Sequence, residues 1–197
     1  MNKSITILEF LKKVTAVRRY QRKKIPIDLL LKIIESGRWA QSAHDFQPWK
    51  FVLVIKRTLI NDIAEIVLDK SFKLLIAYRI LMRLTSVTIK NSQALIMIYN
   101  TQDIDKRMGR FGGVYKRCAK LTEIECISGA VHNILLASYS IGLGATWLVM
   151  PTICGKTINR HLKINNELVA VVSLGYPLGK GKRSFRKSLN EILEIRK

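Results

Sequence analysis

Negative charge is scarce in this chain. Fourteen Asp and Glu stand against 34 Lys and Arg in 197 residues, a formal net charge of +20. That imbalance predicts attraction to anions (nucleic acid, acidic lipid or phosphate-bearing small molecules) without choosing among them. Cysteine is sparse as well. Cys118, Cys126 and Cys154 form no Cys-x-x-Cys pair, and no secretory leader pattern is present at the N-terminus. The expectation is free thiols in a cytoplasmic protein. The histidines, His44, His132 and His161, stand at no metal-ligand spacing with one another or with the cysteines, which argues against a zinc site. No Gly-x-Gly-x-x-Gly follows a strand and no Walker-A loop occurs, so a doubly wound dinucleotide fold and a P-loop enzyme are excluded. No Gly-x-Ser-x-Gly elbow supports a hydrolase. The high positive charge has no zinc, helix-turn-helix or RNP-like pattern beside it, so nucleic acid is an unlikely partner.

The chain has one long uncharged run, Cys126 to Gly155. It exceeds the roughly 20 residues that cross a bilayer. His132, Asn133, Ser138, Ser140 and Thr146 interrupt it, and Gly142-Leu143-Gly144 breaks it. It reads as a buried helix, a glycine turn and a buried strand, with Lys and Arg flanking both sides. No membrane span is expected. With 48% hydrophobic residues, no repeat and no low-complexity linker, residues 1–197 read as one domain with a substantial core.

The pattern of elements follows from caps and periods. Ser4 suits the cap of a first helix bearing Ile5, Leu8 and Leu11 on one face. Pro26 suits the first turn of a second helix, with Leu29, Leu30, Ile33 and Ile34 at helical spacing. Strands are expected at 51–55, 94–99, 145–150 and 168–177. Residues 58–84 read as helical, and 155–163 as a short helix. Residues 100–117 form a polar, glycine-bearing segment with no clear period. Thr122 and Glu125 make a capping-box pattern, which places the start of a long helix there; Gly142 ends it. Continuously apolar strands imply a sheet covered on both faces, in an α+β sandwich. The C-terminal stretch 188–195 reads as a helical or extended arm.

Four stretches carry candidate chemistry. In "VRRYQRKK", Arg18, Arg19 and Arg22 offer donor forks suited to phosphate oxygens, although a solvated basic connector would look the same. In "SAHDFQPW", Ser42, Ala43, His44, Asp45 and Gln47 gather at a helix-to-strand junction. This is either a packed turn anchored by Trp49 or a ligand-binding turn. Adjacent Ser, His and Asp do not converge as a catalytic triad would. "GLGATWLVMP" and "SLGYP" carry glycines that permit close backbone approach. "KGKRSFRKSL" holds Arg183 and Arg186, a charge run that is also suited to phosphate.

Taken in order, "RRYQRKKIP", "RWAQSAHDFQPWKF", "HNILLASYSIGLGATWLV" and "SLGYP" resemble the FMN-dependent nitroreductase family, covering about 14–187. The resemblance implies a mostly antiparallel sheet flanked by helices, in an intertwined homodimer with FMN at its interface. It assigns Arg18, Arg19, Tyr20 and Arg22, with Arg186, to the FMN phosphate. It assigns Ser42, Ala43, His44, Asp45 and Gln47 of the partner subunit, and Leu148, Val149 and Met150, to the flavin. NADH or NADPH would supply a hydride to FMN, and an electron-poor small molecule such as a nitroaromatic or quinone would accept the electrons. Four positions depart from the family pattern: Gln41 for a proline, Asp45 for an asparagine, Tyr20 for a serine, and Val149 where glycine is common. A flavin-binding protein of this fold without ordinary turnover is the alternative reading.

Overall fold

The computed structural model describes residues 6–179, 181 and 184–196. Helix α1 (Ile7–Lys13) begins at Thr6, where the Thr6 hydroxyl accepts from Glu9 N and the Glu9 carboxylate accepts from Thr6 N. The capping box therefore lies at Thr6, and Ser4 falls outside the described residues. Helix α2 (Ile27–Arg38) follows Pro26 and buries Leu30, Ile33 and Gly37. Strand β1 (Trp49–Val54) leads to α3 (Arg57–Ser71) and α4 (Ile76–Asn91). The region read as one helix is thus a helical hairpin, and its turn at 72–75 contains neither Gly nor Pro to announce it. Strand β2 (Ala94–Asn100) is buried at every position.

The polar segment after β2 is helical. It forms α5 (Asp103–Met108), a 3-10 turn (Gly109–Phe111) and the start of α6 (Gly113–Ser140). The long helix therefore begins at Gly113 rather than at Thr122, which lies within it. Gly112, with φ of 115°, sets the break before it, and Gly142, with φ of 79°, ends it. At 28 residues, α6 is about 42 Å long. Strand β3 (Gly144–Leu148), a 3-10 turn (Met150–Cys154), α7 (Gly155–Leu162) and β4 (Glu167–Gly175) complete the core. Residues 184–196 run exposed along the surface with a single 3-10 turn, Leu189–Glu191.

The sheet order is β1-β2-β4-β3, and all three pairings are antiparallel. One face packs on α2 and α6 through Leu30, Ile33, Ile127, Val131 and Ile134. The other packs on α3, α4 and α7 through Ile60, Ile63, Met82, Ile89 and Ile158. Strand alternation sorts the side chains: Ile96, Ile98, Ala170 and Val172 face α6, whereas Leu95, Met97, Tyr99 and Val171 face α3. Between Ile98 and Tyr99 the partner shifts from Ala170 to Leu168, so Val169 is an extra residue and β4 is bulged. Close helix contact depends on Gly37, where a Cβ would lie 2.9 Å from Ile134 Cδ1. The α+β sandwich with an antiparallel sheet is the architecture expected from the sequence.

Candidate functional site

The arginine-bearing segment 14–24 has no regular secondary structure, yet it is tied to the core along its length. Val17 N donates to Ala145 O (3.0 Å), Gln21 N to Tyr176 O (2.9 Å) and Leu178 N to Arg19 O (2.9 Å). Tyr20 bridges Pro177. The contact is close because the facing residues are glycines: a Cβ on Gly144 would lie 2.6 Å from Val17 Cγ1, and one on Gly175 would lie 2.6 Å from Tyr20 Cβ. "RRYQR", "GLGATW" and "SLGYP", far apart in sequence, therefore meet at one end of β3 and β4.

Tyr20 is buried, and its hydroxyl bonds to Val17 O and to Ser173 Oγ (2.9 Å). Burial raises its pKa, with the Ser173 and Thr146 hydroxyls partly opposing. Its hydroxyl is thus spent inside the fold, so Tyr20 serves as a wedge and not as an exposed phosphate donor. Arg18 and Arg19, which precede this wedge, are exposed. Among the described residues neither has a carboxylate partner, nor does Arg22. The three do not share one pocket. Arg18 lines a cavity of 180 Å³ with Leu135, Tyr139, Thr146 and Trp147. Arg22 lines clefts on the other side with Arg57 and Gln93. Arg186 donates to Phe185 O in its own arm (3.0 Å). Arg183 lies outside the described residues.

The turn 42–47 lies elsewhere. The register pairs Trp49 with Asn100 and Asn100 with Glu167, so this turn sits at the opposite end of the sheet from Gly144 and Gly175, beside edge strand β1. His44, Asp45 and Gln47 all have left-handed backbone, with φ of 49°, 54° and 46°. Such conformations cost of order 1 kcal/mol or more each in non-glycine residues. The turn is held by Gln47 N donating to Ser42 Oγ (3.2 Å) and by Ala43 N against Cys126 Sγ (3.4 Å). His44, Asp45 and Gln47 project into solvent, while Ser42 and Ala43 are half-buried. Leu148 is buried, Val149 is 56% exposed and Met150 is half-buried; Leu148 pairs with Val171 midway along β4, on the far edge of the sheet from this turn.

Two residues escaped sequence reasoning. Trp147 Nε1 is buried without a hydrogen-bond partner, and its ring lines the Arg18 cavity. Glu123 is fully buried and accepts from Asn100 Nδ2 (2.8 Å), Ile104 N (3.0 Å) and Asp105 N (2.9 Å), fixing α5 onto α6. Its position on the stripe Ala119, Glu123, Cys126, Ile127, Ala130 was the available signal.

The nitroreductase family model matches residues 11–176. A protein of Methanothermobacter thermautotrophicus named NADH dehydrogenase/NAD(P)H nitroreductase is 26% identical over 175 residues, covering 87% of this chain and 77% of its own. A BluB-like flavoprotein from Clostridium difficile 630 superposes with a TM-score of 0.80 at 19% identity, covering 98% of this chain and 100% of its own. A Desulfovibrio desulfuricans nitroreductase solved in complex with FMN gives 0.74 at 20% identity, with 99% of each chain covered. With the matched region running from α1 to the end of β4, and "RRYQR", "GLGATW" and "SLGYP" converging at the Gly144–Gly175 end of the sheet, the chain belongs to the nitroreductase family.

Proposed function

We propose that the protein is an FMN-dependent oxidoreductase that takes a hydride from NADH or NADPH and delivers electrons to an electron-poor small molecule. The observation that carries this reading is the anchoring of Arg18 and Arg19, both without carboxylate partners, onto the glycine ends of β3 and β4. The residues fit the group. A phosphate of about two negative charges suits Arg18, and the orphaned Trp147 indole N–H beside it is a buried donor in need of an acceptor. Tyr20 supports this site by filling the space behind it.

Strand β3 pairs only with β4 among the described residues; Val17 covers its outer edge at Ala145, and no strand pairs with that edge from Trp147 onward. From Gly144 to Leu148 it spans about 13 Å. A cofactor held at Arg18 would lie along that edge, with Leu148, Val149 and Met150 presenting an apolar surface to its ring. Bound flavin supplies hydride acceptance and electron delivery. The protein's part is to hold the phosphate, press the ring against β3 and keep water from it. The turn 42–47, at the other edge of the sheet, reaches such a ring only from a second copy. The left-handed backbone at His44, Asp45 and Gln47 supports a functional role for it. The exposed apolar residues of the C-terminal arm, Phe185, Leu189, Ile192 and Ile195, support a partner that covers them. The working unit in this reading is a homodimer.

The test is FMN titration of the purified protein, followed by anaerobic addition of each nicotinamide. Wild type should retain flavin and bleach with at least one reductant. Arg18→Ala with Arg19→Ala should lose FMN while keeping its oligomeric mass. Wild type that takes up no FMN refutes the function; flavin retention in the double variant refutes the phosphate assignment. FMN that binds and is reduced by neither nicotinamide favours a flavin-binding role without turnover.

A further inference from the structure

Helix α4 buries Met82 and Ile89 in the core, but the rest of its buried positions are polar. Its inward positions include Thr85, Ser86 and Thr88, all buried, and each hydroxyl is satisfied by a carbonyl 2.8 Å away: Leu81 O, Ala64 O and Leu84 O. Its outward face is apolar. Ile76, Ile80, Leu84 and Val87 recur every three or four residues and are 73, 54, 60 and 56% exposed. Leu75, Leu81 and Tyr78 widen the stripe, and Phe72 extends it at the turn before the helix. A helix that buries hydroxyls and exposes branched aliphatics in water has a missing partner.

The charges around the stripe identify that partner. From Lys70 to Gln102 the chain has no Asp or Glu. Lys73 and Arg83 are exposed beside the stripe, with the Arg83 guanidinium 5.3 Å from the Phe72 ring centre, whereas Arg79 is half-buried and donates to Phe72 O (3.5 Å). The last cation of α4, Lys90, is paired with Glu65 on α3 at 2.9 Å. A second copy docked face to face would bring like-charged rims together in a protein already at +20. A bilayer surface with anionic headgroups offers opposite charge at the rim and an apolar interior for the stripe.

We infer that α4 docks the protein on the surface of an anionic lipid bilayer, with Ile76, Ile80, Leu84 and Val87 inserted at the headgroup boundary and Lys73 and Arg83 on the lipid phosphates. This is adsorption and not spanning: no helix of the described residues is long and apolar enough to cross a membrane. It does not depend on flavin binding and survives failure of the FMN titration.

The experiment is co-flotation of the full chain with phosphatidylcholine vesicles, with and without phosphatidylglycerol. Wild type should float only with the anionic vesicles. Ile80→Ser with Leu84→Ser leaves the charge unchanged at exposed positions and should weaken anionic binding at least about tenfold. Equal flotation of this variant means that the +20 charge acts alone, and overturns the inference. So does a wild-type mass in solution that halves in the variant, since α4 would then join two copies. As a reading independent of that variant's folding, Leu84→Trp should shift its emission to the blue with anionic vesicles. An unchanged spectrum refutes insertion.

Discussion

Replacing Gly175 with alanine tests whether the arginine segment is rigidly seated. A Cβ at this position would lie 2.6 Å from Tyr20 Cβ and Cγ and 2.7 Å from Cδ1. Ordinary contact begins near 3.4 Å, so Tyr20 must retreat by about 0.8 Å. Cβ and Cγ cannot swing away as a side-chain tip can, because they move with the backbone. That backbone is held by Gln21 N to Tyr176 O and Leu178 N to Arg19 O, and the ring by its hydroxyl on Ser173. Overpacking costs typically 1–3 kcal/mol and each weakened hydrogen bond about 1 kcal/mol, so the expected loss is about 2–4 kcal/mol. For a chain of this length that corresponds to a fall in Tm of roughly 4–16 °C. The assay is thermal unfolding of flavin-free protein together with FMN titration, and the affinity should fall because Arg18 and Arg19 move with Tyr20. Gly155→Ala is the control. Its Cβ would meet Leu168 Cβ at an ordinary 3.6 Å, and its φ of −48° is helical, so stability should hold or rise slightly. If Gly175→Ala melts within about 1 °C of wild type and binds FMN equally well, the segment is not seated as described.

Two further outcomes follow from buried polar groups. Glu123→Ala strands Asn100 Nδ2 and the amides of Ile104 and Asp105. It should cost about 3–5 kcal/mol in urea unfolding and expose the α5 region to protease; a loss below 1 kcal/mol would show that the network is dispensable. Burial pushes the Cys154 thiol up to about 11 from 9.0, with Lys70 partly opposing, and the Tyr99 phenol up to about 12 from 10.0. Both groups hold protons more tightly when folded, so stability should be full below pH 9 and fall as pH rises towards 12. Tyr99 Oη has no hydrogen-bond partner, so Tyr99→Phe should leave neutral-pH stability unchanged within about 1 kcal/mol and flatten the fall above pH 10. Identical alkaline profiles for the two proteins would refute the assignment.

The local features legible in the sequence were those set by near neighbours. Pro26 opens α2, Gly142 closes α6, and the apolar runs of β2 and β4 stand close to the expected bounds. The ordered motifs identified the family, because backbone close approach demands glycine at Gly144 and Gly175 whatever surrounds them. Misreadings arose where one signal had two physical uses. Thr122 and Glu125 match a capping box, yet they lie within a helix whose true start, Gly113, has no side-chain cap. The α3–α4 turn uses ordinary residues, so helical propensity ran across it.

The sequence alone determined composition, the +20 charge, the strand and helix periods, and the chain of short motifs that marks the family. Each depends on residue identity or on spacing within a few positions. Only the tertiary structure decided which side each arginine takes, since the crossing of segment 14–24 over the sheet end sends Arg18 towards Trp147 and Arg22 towards Arg57. It also decided that Tyr20 points inward, because the space that admits it is made by Gly175 and Ser173, more than 150 residues away. And it decided that α4 turns Thr85, Ser86 and Thr88 inward with Met82 and Ile89 and leaves Ile76, Ile80, Leu84 and Val87 outward: periodicity identifies a helix with two faces, but only packing against α3 shows which of them is left uncovered.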